Sequence, residues 1–322
     1  MKRWLGFARS LLIYHHPASL RAWRRFYCEI LRPGDLAFDV GAHLGTRARA
    51  MRAAGARVVA LEPQALFARF LRRTLPGDIL LVQAAVGAHE GVSRMAVSSR
   101  HPTVSSLHRA FVADAADAPG FSHVRWDRSE QVRVLTLDAL IATHGLPAYV
   151  KIDVEGFEIE VLAGLSQPVP MLSVEYLPAF PALTHAVLKR LELLGDYHFN
   201  AVVGERPGFL WHDWRGAAAV QDWLHTLPRD APAGDLFARL PGSPWPCGRA
   251  SPRLQPPARR QAANAANSAG LAAMTLPLSC GRSADVQPSR RAPASRSSRS
   301  PAAMSQGRSR RSQKPSRRPA AT

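Results

Sequence analysis

Asp39, Gly41, His43 and Gly45 fall together where a short apolar run, Ala37-Phe38-Asp39-Val40, gives way to a helix-forming one, and Glu62 ends a second apolar run, Arg57-Val58-Val59-Ala60-Leu61. Glycines at a strand-to-helix turn let backbone approach a ligand, and the first-turn N–H groups of the helix point at it. A carboxylate at the end of the next strand can take both hydroxyls of a ribose. These types and spacings describe a cradle for a nucleoside-containing cofactor. The glycines are spaced G-x-x-x-G, not G-x-G-x-x-G, so a nicotinamide or flavin dinucleotide fits poorly. A second concentration of charge, Lys151, Asp153, Glu155 and Glu158, lies around the end of a later apolar run, with Glu175 at the end of another.

The elements that must position these groups alternate in type. Apolar strands are expected at 37–40, 57–61, 79–86, 148–153 and 171–176, with helices at 46–54, 64–75, 157–162 and 181–194 between or after them. That alternation gives a doubly wound, mostly parallel α/β sheet whose strand ends share one crevice. Added strands are expected at 92–98 and 132–137, and residues 4–31 read as one or two amphipathic helices. Residues 100–133, poor in periodicity, form an insertion that either lines the substrate pocket or is a surface loop; His101, Ser105, Ser106, His108 and Trp126 are its candidates for the pocket.

Phe38-Asp39-Val40-Gly41-Ala42-His43-Leu44-Gly45, Leu61-Glu62-Pro63, Gln83-Ala84-Ala85-Val86-Gly87, Val134-Leu135-Thr136-Leu137-Asp138 and Val150-Lys151-Ile152-Asp153-Val154-Glu155-Gly156-Phe157-Glu158, in this order, resemble the FkbM-type family of class I methyltransferases. The resemblance implies a Rossmann-like methyltransferase fold, S-adenosylmethionine as cofactor, and O-methylation of a sugar or other small-molecule hydroxyl. It also implies a closing antiparallel hairpin, for which 197–203 and 208–211 are the expected strands. On this reading Gly41 and Gly45 admit the cofactor, Asp39 receives its ammonium directly or through water, Glu62 grips the ribose, Ala84 and Ala85 border the adenine and Gln83 adds a polar contact.

Methyl transfer to oxygen needs donor carbon and acceptor oxygen held in line and a group that removes the hydroxyl proton. Asp153 is the first candidate base and Glu155 the second, while His43 has the intrinsic pKa, about 6.5, closest to neutrality. Lys151 and Asp153 face the same side of a strand and can pair. The competing reading makes Lys151, Glu155 and Glu158 a salt-bridge and capping network that holds the loop. Glu175 and Tyr176 are further candidates to face the acceptor. No metal set is expected, although Asp153, Glu155 and Glu175 can approach one another in space.

The 322 residues carry a formal net charge of +18. Residues 249–322 hold 15 Lys or Arg and one acidic residue, whereas the first 248 hold 27 basic and 23 acidic residues. The basic character therefore belongs to a tail rich in Pro, Ala, Ser and Arg, read as disordered. The expected division is a helical cap at 1–34, the methyltransferase domain at 35–228 and the tail at 229–322. Such a tail can contact polyanions without specificity, which leaves a nucleic-acid-associated protein as the alternative to a small-molecule enzyme. Three scattered cysteines, Cys28, Cys247 and Cys280, and an N-terminal apolar patch too short to span a bilayer point to a cytoplasmic protein.

Overall fold

The computed structural model describes residues 17–100, 105–108 and 124–242. The element order is α1 (Pro17–Ile30), β1 (Leu36–Val40), α2 (Thr46–Ala53), β2 (Arg57–Leu61), α3 (Ala65–Thr74), β3 (Leu80–Val82), β4 (Ala85–Val86), β5 (Gly91–Val97), β6 (Arg128–Leu135), α4 (Leu137–His144), β7 (Tyr149–Ile152), α5 (Glu158–Ala163), β8 (Met171–Tyr176), α6 (Pro181–Leu194), β9 (His198–Val203), α7 (Ala217–Thr226) and β10 (Gly234–Arg239). Seven strands form one sheet in the order β3-β2-β1-β7-β8-β10-β9. β3, β2, β1, β7 and β8 run parallel, and β10 is antiparallel to both its neighbours.

All five residues of β1 are buried, as a central parallel strand covered on both faces requires. One face packs against α4 to α7 through Leu140, Val161, Leu188 and Leu224. The other is covered by α1 and α2, with Leu71 of α3 in the same core. α1 belongs to that core because Trp23, Phe26, Tyr27 and Ile30 recur at helical spacing and are all buried. Each such side chain contributes about 1.5–3 kcal/mol of burial. Residues 17–30 are thus built into the domain, and the N-terminal part of the expected cap lies outside the described residues.

Three expectations are corrected. The single strand at 79–86 is two: β3 joins the large sheet, and β4 leaves it to pair with β6 in a second sheet of order β4-β6-β5. The closing partner of β9 is β10, not 208–211, which contributes a Leu210 N–H to the Ala201 carbonyl at 2.7 Å and a tie between Trp211 and the Asn200 amide. Because β10 lies between β8 and β9, with Leu236, Phe237 and Ala238 fully buried, the folded sheet extends past the expected boundary at 228. The rest of the basic tail, from 243 onward, lies outside the described residues. No described helix is long and apolar enough to cross a membrane.

Candidate active site

β1 runs into a turn at Gly41, whose φ is +83°; a Cβ there would stand 1.9 Å from the Asp153 carbonyl oxygen. Only glycine fits, and the turn can therefore press against the end of β7. Gly45, φ +74°, caps α2 in the left-handed conformation. Between them His43 is also left-handed, at φ +50°. Glu155, at φ +55°, is the other non-glycine residue with positive φ among the described residues. Both line the same cavity of about 330 Å³ at the carboxyl ends of β1 and β7. Strained backbone of this kind persists where the surrounding structure fixes it, and it concentrates at functional sites.

One half of the cavity is built around Glu62. Its Oε2 accepts the His43 N–H and its Oε1 the Gln64 N–H, both at 2.8 Å. Glu62 is 3% exposed, and burial, only partly offset by these two bonds, pushes its pKa up to about 8. Each oxygen keeps a lone pair for a hydroxyl. Asp39 is wholly buried on β1, in register with Lys151 of β7, and neither carboxylate oxygen makes a standard hydrogen bond. Burial raises its pKa; the attraction of Lys151 and Arg47 and a weak backbone interaction with Ala48 return part of the shift. Ala84 lines the cavity and is buried. Gln83 does not line it: its side chain is exposed and bonded to Arg72 of α3, since it faces away at the crossover from β3 to β4.

The other half is a carboxylate cluster. Lys151 Nζ, nearly buried, lies 2.7 Å from Asp153 Oδ2. Burial alone would lower the Lys151 pKa, but Asp153, Asp39 and Asp235 outweigh it and hold the ammonium charged. Lys151 likewise outweighs burial at Asp153 and keeps that carboxyl below its usual range. One oxygen each from Asp153, Glu155 and Glu175 lies within 4.8 Å of the others, a spacing that a cation can bridge. Glu155 and Glu175 are both raised well above the ordinary carboxylate value, first by burial and then by neighbouring carboxylates. Glu158 is buried and its Oε1 accepts the N–H groups of Val154 and Gly156 at 3.3 and 3.1 Å, so it holds the loop after β7. His43 packs edge-on against Phe67, 4.2 Å between ring centroids, and burial lowers its pKa to about 4. An imidazole of that basicity is a weak base near neutral pH.

Residues 39–195 match the family model described as the Methyltransferase FkbM domain. The match places an FkbM methyltransferase domain at residues 39–195. Its methyl donor is S-adenosylmethionine, which supplies a methyl group on a sulfonium centre when bound. The cradle fits such a donor: Gly41 leaves no room for a side chain, Glu62 presents a carboxyl group, and Asp39 holds two buried oxygens without hydrogen-bond partners beneath the turn. No curated protein matches this sequence. Solved structures it resembles include precorrin-6y C5,15-methyltransferase from Geobacter metallireducens, 14% identical over 68% of this chain and 87% of that one, TM-score 0.34. An rRNA methylase from Streptococcus thermophilus is 11% identical over 67% and 92%, TM-score 0.31. The plantazolicin methyltransferase, solved with SAH, is 9% identical over 73% and 87%, TM-score 0.34.

The cavity also brings together residues that sequence reasoning missed. Arg47 in the first turn of α2 reaches Glu205 Oε2 at 3.1 Å and Asp235 Oδ2 at 3.4 Å, and stacks 3.0 Å above the Trp23 ring. Its partners come from α1, from the segment after β9 and from β10, so no local pattern could have grouped them. Met95 and Leu107 give the cavity an apolar wall. Of the insertion candidates, Ser105 lines it; Ser106 lies in a bridge to Ala96, His108 approaches Glu160 at 3.9 Å, Trp126 packs with Leu177 and Phe180, and His101 lies outside the described residues.

Proposed function

We propose that the protein transfers a methyl group to a hydroxyl of a neutral small molecule, a sugar or similar polyol. One observation carries this reading: the cavity is lined by Asp153, Glu155, Glu175 and Glu205 beyond the cradle, while its cations, Lys151 and Arg47, are already paired with carboxylates. A phosphorylated or polyanionic acceptor meets like charge there, whereas hydroxyls find acceptors for their protons. Gly41, Gly45, Asp39, Glu62 and Ala84 hold the donor in this assignment, and Asp153 with Glu155 faces the acceptor. The domain runs from α1 through β10, and the basic segment beyond it contacts polyanions as an accessory to the chemistry. Exposed, unpaired Cys28 supports a reducing, cytoplasmic setting.

The test is methyl transfer from methyl-labelled S-adenosylmethionine by the full chain to a panel of neutral monosaccharides and polyols, with their phosphate esters and RNA alongside. Label entering neutral acceptors in preference to phosphate esters supports the assignment. Label entering RNA or phosphate esters preferentially overturns it.

A further inference from the structure

We propose that Glu175 is the residue that takes the proton from the acceptor hydroxyl, a role that rests on reading the cavity as a hydroxyl-methylating site. Its Oε2 is buried and has no hydrogen-bond partner among the described residues, and its side chain lines the cavity. Three neighbouring acids are engaged. Asp153 is bound to Lys151, Glu158 to two loop N–H groups, and Glu62 to two more. Glu155 follows β7 on a left-handed loop position, whereas Glu175 sits on β8, which is paired on one edge with β7 and on the other with β10. Groups on paired strands are held more closely to one geometry than groups on loops.

The charges around Glu175 suit the role. Asp153 and Glu155 approach it from the end of β7, Glu158 from α5 and Asp235 from its register partner position on β10. Lys151 serves Asp153, Arg47 serves Asp235 and Glu205, and His43 is neutral near pH 7. Burial and this crowd of carboxylates raise the proton affinity of Glu175, while Lys151 fixes Asp153 as the charged member of the group. Carboxyls whose environments drive their affinities apart divide into a base and a fixed charge. In the step itself the acceptor oxygen bonds to the methyl carbon as the carbon–sulfur bond breaks. The electron pair of that bond stays on sulfur, and the hydroxyl proton passes to Glu175 Oε2.

The experiment compares full-length wild type with Glu175→Gln and Glu175→Asp. Calorimetry with S-adenosylhomocysteine reads the donor half, and carbon-13 titration of glutamate side-chain carboxyls in the S-adenosylhomocysteine complex reads Glu175 directly. Wild-type affinity in Glu175→Gln, a glutamate signal titrating well above the ordinary range that this variant lacks, and a kcat lowered about 10²–10⁴-fold with the neutral acceptor that turns over support the proposal. Glu175→Asp recovers part of the rate. An ordinary titration of Glu175, or an unchanged kcat in Glu175→Gln, overturns it. So does magnesium that shifts the carboxyl signals of Glu155 and Glu175 together and is needed for turnover, since the trio then holds a cation. Failure of wild type to bind S-adenosylhomocysteine overturns the parent reading as well, while normal binding with an unperturbed Glu175 overturns this proposal alone.

Discussion

Lys151 Nζ lies 2.7 Å from Asp153 Oδ2 and shares a register row with Asp39, so one nearly buried ammonium answers two carboxylates at the floor of the cavity. Removing one partner of a buried pair leaves uncompensated charge and costs about 3–5 kcal/mol, and the lower figure applies here because the Asp153 side chain is 37% exposed. Lys151→Met is therefore expected to lose about 3 kcal/mol in urea unfolding. A loss under about 1 kcal/mol would mean that the pair contributes no more than a surface bridge.

Gly41 and Gly77 make a matched comparison. A Cβ at Gly41 meets the Asp153 carbonyl oxygen at 1.9 Å on a left-handed backbone, whereas a Cβ at Gly77 meets nothing within 4 Å. Gly41→Ala should destabilise by about 1–3 kcal/mol and weaken donor binding, and Gly77→Ala should be neutral or mildly stabilising. Equal effects in thermal unfolding would contradict the close approach of the turn to β7.

Arg47→Lys keeps the charge and loses the planar stack on Trp23 together with the fork to Asp235 and Glu205. The expected cost is about 1–2 kcal/mol, rising to about 3 kcal/mol for Arg47→Ala, which also strands buried Asp235. Denaturant midpoints check both; a fully restored midpoint in the lysine variant would reduce the site to charge alone.

Glu62 and Glu158 give the unliganded protein a pH dependence of definite sign. Burial raises their pKa values to about 8 and about 7, so the folded state holds these protons more tightly than the unfolded chain. Their contribution is fully present below the unfolded value of about 4.5 and is lost as pH rises to about 8. Glu62→Gln should flatten the decline between those limits in unfolding curves taken across pH. A wild-type decline unaltered in the variant would assign the dependence elsewhere.

Four of the five parallel strands, β1, β2, β7 and β8, were legible because each is a bounded apolar run, and β8 and α6 fall where the pattern placed them. β10 was not: it follows a stretch rich in Pro, Asp and Gly, and carries Asp235 and Arg239 where an isolated reading expects apolar residues. Arg47 and Lys151 offset part of the cost of burying Asp235 there, a relation between distant segments. The same limit hid Arg47 and Glu205. That Asp39, Gly41 and Glu62 come together was legible because a strand, a turn and a helix place them within one local unit. Gln83 misled because the continuous run 79–86 concealed the break between β3 and β4, which turns its side chain outward.

The most direct measurement is calorimetric titration of the full chain with S-adenosylmethionine, with NAD as control and Glu62→Ala beside wild type. Binding of S-adenosylmethionine and not NAD, weakened in the variant by about tenfold or more, is the predicted result. A folded wild-type protein that binds neither, or a Glu62→Ala variant that stays folded and binds as tightly as wild type, would contradict the assignment of the cradle.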